Sequence, residues 1–265
     1  MTELTDRFRA LHDPAHPLLL PNPWDAGSAK LLESLGFRAL ATTSSGFAAT
    51  LGRLDGSVTR DEAIAHSALI VDSTTLPVSA DLENGFADDP DGVAQTVRLA
   101  VDAGLAGCSI DDFTGGGDDP IYDAGLARER IAAAVEAAAG QIVLTARSEN
   151  YLHGRPDLDE TIARLQSFQE AGADVLYAPG LQSLDDIRSL VESVDRPVNV
   201  LARPGAPTVA ELAEAGVSRV SVGGGFAFVA LGAVVNAARE LLDLGTYGFW
   251  ETGATGAKGA RAAFD

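Results

Sequence analysis

The chain has 265 residues, 46% hydrophobic and 22% charged, which supports a large buried core and excludes a disordered polypeptide. Its 38 acidic residues outnumber 19 basic ones, for a net charge of −19, and so acidic a surface repels phosphate backbones and argues against nucleic-acid binding. A single cysteine, Cys108, excludes an internal disulfide and a cysteine metal cluster.

The N-terminus is polar, and no stretch approaches the ~18 apolar residues of a membrane helix, so the expectation is a cytoplasmic protein with no membrane partner. A helix over residues 1–15 leads in, with Leu4, Phe8 and Leu11 at helical spacing. Leu18-Leu19-Leu20-Pro21 is the first strand, and Asn22-Pro23-Trp24-Asp25 the turn after it, with Asp25 as the cap of the next helix. Residues 26–35 form a helix, 38–42 a second strand, and Thr43-Ser44-Ser45-Gly46 opens a polar loop before a helix at 59–72. Strand three, 77–80, runs into Asp81, Glu83, Asn84 and Gly85. Two carboxylates two residues apart at a strand end point to one side. Asp89 and Pro90 cap and start the next helix, extending to residue 102.

Five further strands follow at 106–110, 141–146, 174–177, 197–201 and 219–222. Helices at 126–139, 158–171, 183–192, 208–215 and 226–242 alternate with them, capped at Ser183 and Thr208 in two cases. Eight strand–helix units with uniformly apolar strands predict an α/β fold, a single TIM-like (β/α)8 barrel over residues 1–244. An open doubly wound sheet is the alternative, but no GxGxxG follows an early strand. The Gly- and Ala-rich tail, 245–265, either packs on a neighbouring subunit or is partly disordered.

In a barrel the strand C-termini share one mouth. Gathered there are Trp24 and Asp25; Thr43, Ser44 and Ser45; Asp81 and Glu83; Asp111 and Asp112; Arg147 and Glu149; Tyr177; Asn199 and Arg203; and Gly223-Gly224-Gly225. So many carboxylates need a divalent cation or must partly protonate, and hard oxygen donors suit Mg²⁺, with Mn²⁺ as a substitute. The four histidines fall at no zinc-ligand spacing. Arg147 can grip a carboxylate with its fork, and the hydroxyls of residues 43–45 can hold a second carboxylate end. Trp24 belongs either to the substrate rim or to ordinary packing, and Cys108 reads as a core residue. A 2-oxo acid chelating Mg²⁺ fits this set.

These segments resemble the isocitrate lyase and phosphoenolpyruvate mutase superfamily, over most of the chain from Asn22 to about Gly225. Asp81-Leu82-Glu83-Asn84-Gly85-Phe86 is similar to its Asp-x-Asp-x-Gly-Tyr/Phe metal motif, with Glu as the second acid. Ile110-Asp111-Asp112 is similar to its Ile/Leu-Glu-Asp, and Ala146-Arg147-Ser148-Glu149 to the segment whose arginine contacts substrate. Thr43-Ser44-Ser45-Gly46 resembles its carboxylate-binding turn, and Leu51-Gly52-Arg53-Leu54-Asp55 the segment whose aspartate lies near the substrate. The resemblance implies a modified (β/α)8 barrel, Mg²⁺ at Asp81, Glu83 and Asp111 directly or through water, and a small anionic carboxylate held by Trp24, Thr43, Ser44, Ser45, Asp81 and Arg147. It also implies a homo-oligomer, dimer or tetramer, because members exchange their last helix between barrels.

The departures bear on the reaction. Isocitrate and methylisocitrate lyases carry a Lys-Lys/Arg-Cys-Gly-His loop after strand four, where this chain has Thr114-Gly115-Gly116-Gly117-Asp118-Asp119. Their glutamate after strand six is replaced by Tyr177-Ala178-Pro179-Gly180. The expectation is therefore a Mg²⁺-dependent enzyme that cleaves a C–C bond of a small 2-oxo acid or related dicarboxylate through a metal-stabilised enolate. Asp55 and Arg147 are its catalytic residues, and the 114–119 loop its gate. The alternatives are an oxaloacetate or phosphonopyruvate hydrolase and a catalytically silent 2-oxo acid binding protein.

Overall fold

The computed structural model describes residues 3–264. Its strands are β1 Leu18–Leu20, β2 Leu40–Ala41, β3 Val78–Asp81, β4 Gly107–Asp111, β5 Val143–Arg147, β6 Val175–Tyr177, β7 Val198–Leu201 and β8 Arg219–Ser221. All neighbours are parallel, in the order β1-β8-β7-β6-β5-β4-β3-β2. Between β1 and β2 there is no ladder, but Ala41 N–H donates to Pro21 O at 3.0 Å and spans the gap. The result is a nearly closed α/β barrel of the TIM type.

The helices are α1 Glu3–Ala10, α2 Ala26–Ser34, α3 Ser44–Thr50, α4 Arg60–Asp72, α5 Pro90–Asp102, α6 Ala124–Ala138, α7 Leu158–Glu170, α8 Leu184–Glu192, α9 Val209–Glu214, α10 Gly225–Arg239 and α11 Trp250–Ala263. The expected caps form: Asp25 accepts from Ser28 N–H at 2.7 Å, Asp89 from Gly92 N–H at 2.9 Å, and Ser183 and Thr208 from Asp186 and Glu211 N–H at 3.3 Å each. Each satisfies an amide that the first helical turn leaves open. Helix faces pack on the strands through Val93, Val97, Ile131, Leu165, Phe168 and Ile187, all buried. Cys108 is buried among them, and burial pushes its thiol up to about 12.

Some elements differ from expectation. The leading helix stops at Ala10, because Pro14 and Pro17 follow closely and cannot continue a helix; residues 1 and 2 lie outside the described residues. Residues 44–50 form α3 at the mouth instead of a polar loop. Residues 250–263 form α11, which packs on α2; a side chain on Gly259 would come within 3.1 Å of Leu31, so glycine permits the approach.

α10 continues into a π-helical turn, Glu240–Leu244. Together they form a rod of 20 residues with mean hydropathy 1.5, long and apolar enough by composition to cross a membrane, where no such run was expected. Phe228, Val229, Val234, Leu242 and Leu244 are exposed along it.

Candidate active site

The strand ends enclose a cavity of about 190 Å³. Thr43, Ser44 and Ser45 from the start of α3, Asp55, Asp81, Arg147, Tyr177, Asn199, Gly223 and Gly224 line it. A side chain on Gly224 would lie 2.6 Å from Ser45 Oγ, so glycine keeps this lip open.

Arg147 is the centre of the charge network. Its Nη1 donates to Asp81 Oδ1 at 2.8 Å, while Nε and Nη2 reach Glu149 Oε1 at 2.9 and 2.8 Å. Burial alone would lower its pKa, but Glu149, then Asp81 and Asp111, outweigh burial and hold the guanidinium charged. Asp81 is also fixed by Ser44 N–H to Oδ2 at 3.3 Å and by its own N–H to Thr42 Oγ1 at 2.9 Å. The start of α3 thus touches the acid at the end of β3.

The other acids are crowded. Burial first, then Asp81 and Asp55, push Glu83 up to about 7. Burial and then Glu149 raise Asp111 well above the usual carboxylate range. Burial lifts Asp112 to about 6, although its carboxylate accepts from Glu149 N–H at 2.8 Å and pairs with Arg164 at 3.4 Å. Asp55 lies on the exposed 51–57 loop yet turns its carboxyl to the cavity. Burial of that group raises its pKa, and the Ser44 side chain, hydrogen-bonded to it, partly offsets this.

The structure therefore brings Asp55, Thr43, Ser44, Ser45, Asp81 and Arg147 around one space. Glu83 and Asp111 are displaced from it. Glu83 adopts a left-handed backbone, φ 48°, and lines a crevice behind Thr43 and Ser44. Asp111 is buried, with Phe113 N–H donating to its Oδ1 at 3.1 Å. Among the described residues no three acids, histidines or cysteines converge as a ready-made ion cage. Trp24 does not line the cavity. Its N–H and that of Asp25 both donate to Ser28 Oγ, at 3.0 and 3.1 Å, which commits this segment to starting α2.

Sequence reading missed a deeper layer. Ser79, Ser109, Thr145 and Arg219 line the inner cavity. The first three precede Asp81, Asp111 and Arg147 by two residues, and Arg219 precedes Ser221 likewise. The strand period of two turns Ser79 with Asp81, Thr145 with Arg147 and Arg219 with Ser221 toward the cavity, so polar residues at this spacing are the signal that finds them; Ser109 lines it without Asp111. The loops after β4 and β5 are joined by stacking of Phe113 on His153, 3.8 Å between centroids, and by Arg155 to Asp119 at 2.6 Å.

The family profile of phosphoenolpyruvate phosphomutase matches residues 8–242. The chain belongs to this family. Members of its superfamily are Mg²⁺-dependent lyases, mutases and hydrolases. A Burkholderia cenocepacia J2315 crystal structure, provisionally described as a lyase/mutase, superposes with a TM-score of 0.91 at 52% identity, over 94% of this chain and 91% of that one. An uncharacterised Mycobacterium tuberculosis protein is 34% identical over 89% of each chain. The 2-methylisocitrate lyase of Escherichia coli K12 is 32% identical over 72% of this chain and 67% of its own. The acids present fit the family's metal in chemistry. All are hard oxygen donors, and the raised Glu83 and Asp111 mark a surplus of negative charge that a divalent cation would relieve.

Proposed function

We propose that this protein is a Mg²⁺-dependent enzyme that cleaves a C–C bond in a small 2-hydroxy or 2-oxo dicarboxylate. The observation that carries the reading is the Arg147–Asp81 pair at 2.8 Å, set in a cavity lined by the hydroxyls of Thr43, Ser44 and Ser45. Asp81 would hold Mg²⁺, with Glu83 and Asp111 behind it. When bound, Mg²⁺ supplies stabilisation of negative charge on the substrate's oxygens.

The chain's own residues supply the rest. Arg147 grips one carboxylate, with Glu149 fixing the plane of its fork. Thr43, Ser44 and Ser45 donate to the oxygens at the opposite wall. In a 2-hydroxy dicarboxylate, Asp55 accepts the proton of the substrate hydroxyl at its carboxylate. The adjacent C–C bond then breaks, the hydroxyl carbon becomes a carbonyl, and the electron pair passes to the carbon beside the other carboxylate, which is protonated from water.

A second reading, a catalytically silent 2-oxo acid binding protein, is favoured by one observation: no residue from 113 to 121 lines the cavity. Product analysis by mass spectrometry separates the two. Purified protein with Mg²⁺ meets oxaloacetate, phosphonopyruvate, isocitrate, methylisocitrate and 2-hydroxy diacids, with EDTA controls. EDTA-sensitive release of a 2-oxo acid from a hydroxy acid supports the lyase. Oxalate with acetate indicates hydrolysis, and binding without product supports the silent form.

A further inference from the structure

The barrel interior contains a charge that the chemistry above does not use. Arg219, the first residue of β8, is 3% exposed. Its Nε donates to Asn199 Oδ1 at 3.0 Å, Nη2 to Thr145 Oγ1 at 3.0 Å, and Nη1 meets His12 Nε2 at 3.3 Å. All of these partners are uncharged, because burial and then Arg219 itself lower His12 to about 3. Each terminal nitrogen keeps an N–H with no acceptor among the described residues. Among the same residues no carboxylate pairs with Arg219, whereas Arg147 holds both Asp81 and Glu149. Burying a guanidinium without a counter-charge is costly, and burial pulls Arg219 down to about 10.

Arg219 lines the same cavity as Arg147, with Thr145, Tyr177, Asn199 and Ser221. Thr145 stands two residues before Arg147 on β5. The Arg219 guanidinium bonded to it is therefore about one side-chain layer, ~6.6 Å along the strand, below Arg147. The cavity thus has a neutralised cation near its mouth and an unneutralised one at its floor.

We propose that Arg219 seats the second carboxylate of a dianionic substrate, which enters end-on along the barrel axis. The site selects a diacid over a monoacid of the same chain length. Only the upper end of this pose rests on the Mg²⁺ reading above.

Calorimetry tests it with 2-hydroxy diacids of four to six carbons, each paired with the 2-hydroxy monoacid of the same length. Oxalate with Mg²⁺ probes the upper end alone. The wild-type protein should prefer one diacid over its monoacid by about 30-fold or more, and Arg219→Gln should reduce that preference to about threefold or less, with oxalate affinity unchanged within about twofold. Asn199→Asp places a carboxylate on Arg219 at nearly constant shape and should abolish the preference in the same way; it decides the matter if Arg219→Gln does not fold. A preference that survives these substitutions, equal losses for oxalate and diacid, or no preference in the wild type would overturn the inference. If the wild type ignores oxalate and Mg²⁺ but keeps an Arg219-dependent diacid preference, the seat stands and the Mg²⁺ reading fails.

Discussion

Arg147 Nη1 lies 2.8 Å from Asp81 Oδ1, so the residue assigned to the substrate and the residue assigned to the metal are partners in this structure. Glu149, 3% exposed, depends on the same guanidinium. Arg147→Met would leave both acids without their cation in a poorly solvated place, and should cost about 3–5 kcal/mol in urea unfolding besides abolishing turnover. Arg147→Lys keeps charge but not the fork, and should lose less stability while still losing turnover. A stability loss under about 1 kcal/mol for Arg147→Met would show that the network is not tightly coupled.

Arg130 on α6 acts on the acidic loop from behind. It is 1% exposed, donates through Nη1 to the carbonyls of Ala87 and Asp88 at 2.6 and 2.7 Å, and through Nη2 to Asn84 O. Tyr122 covers it, 3.9 Å from ring centre to Cζ, and donates to Asp88 at 2.5 Å. These bonds hold the turn in which Glu83 and Phe86 take positive φ. Arg130→Met should speed amide exchange across residues 83–88 and weaken Mg²⁺-dependent ligand binding about tenfold. Unchanged exchange would remove it as a positioning residue.

We propose that the exposed rod of α10 and its π-helical extension is covered by another copy of the chain. Val229 and Val234, 70% and 64% exposed, are too apolar for a free surface of this size. Sedimentation should show a dimer or larger assembly, and Val229→Glu with Val234→Glu should release monomers. A monomeric wild type that floats with liposomes would contradict this and favour a lipid surface instead.

His12 gives the fold an acid-side weakness. Burial, then Arg219, hold it to about 3 in the folded chain against the ordinary 6.5. Below pH 6.5 the unfolded chain takes a proton that the folded chain refuses until about pH 3, so stability falls as pH falls through that window. His12→Gln removes this contribution. The wild type should lose about 2–3 kcal/mol more than the variant between pH 7 and pH 4, measured by unfolding at each pH. Parallel curves would mean that His12 titrates normally.

Much of this was legible before the fold. Strands flanked by helix caps at Asp25, Asp89, Ser183 and Thr208 are local signals, and they survive into the barrel almost unchanged. The mouth residues Asp81 and Arg147 were legible because strand ends and family-like motifs coincide, and Asp55 through its family-like motif alone. Other features depend on tertiary contact. α11 has glycines at 253, 256 and 259 and little intrinsic helix preference, so its packing on α2 is invisible in the chain alone. Trp24 shares a turn with Asp25, and only the fold shows that Trp24 joins the same cap through its N–H and stays out of the cavity lining. Arg219 is read from sequence as an unremarkable strand residue; its unpaired charge emerges only when β5, β7 and β8 come together.

The most direct test is calorimetric titration of oxalate into the wild-type protein and Asp81→Ala, each with Mg²⁺ and with EDTA. Binding by the wild type that requires Mg²⁺, and falls about 100-fold or more in Asp81→Ala, is the predicted result. Oxalate binding that is equal in EDTA, or unchanged in Asp81→Ala, would contradict a metal-assisted site centred on Asp81 and Arg147.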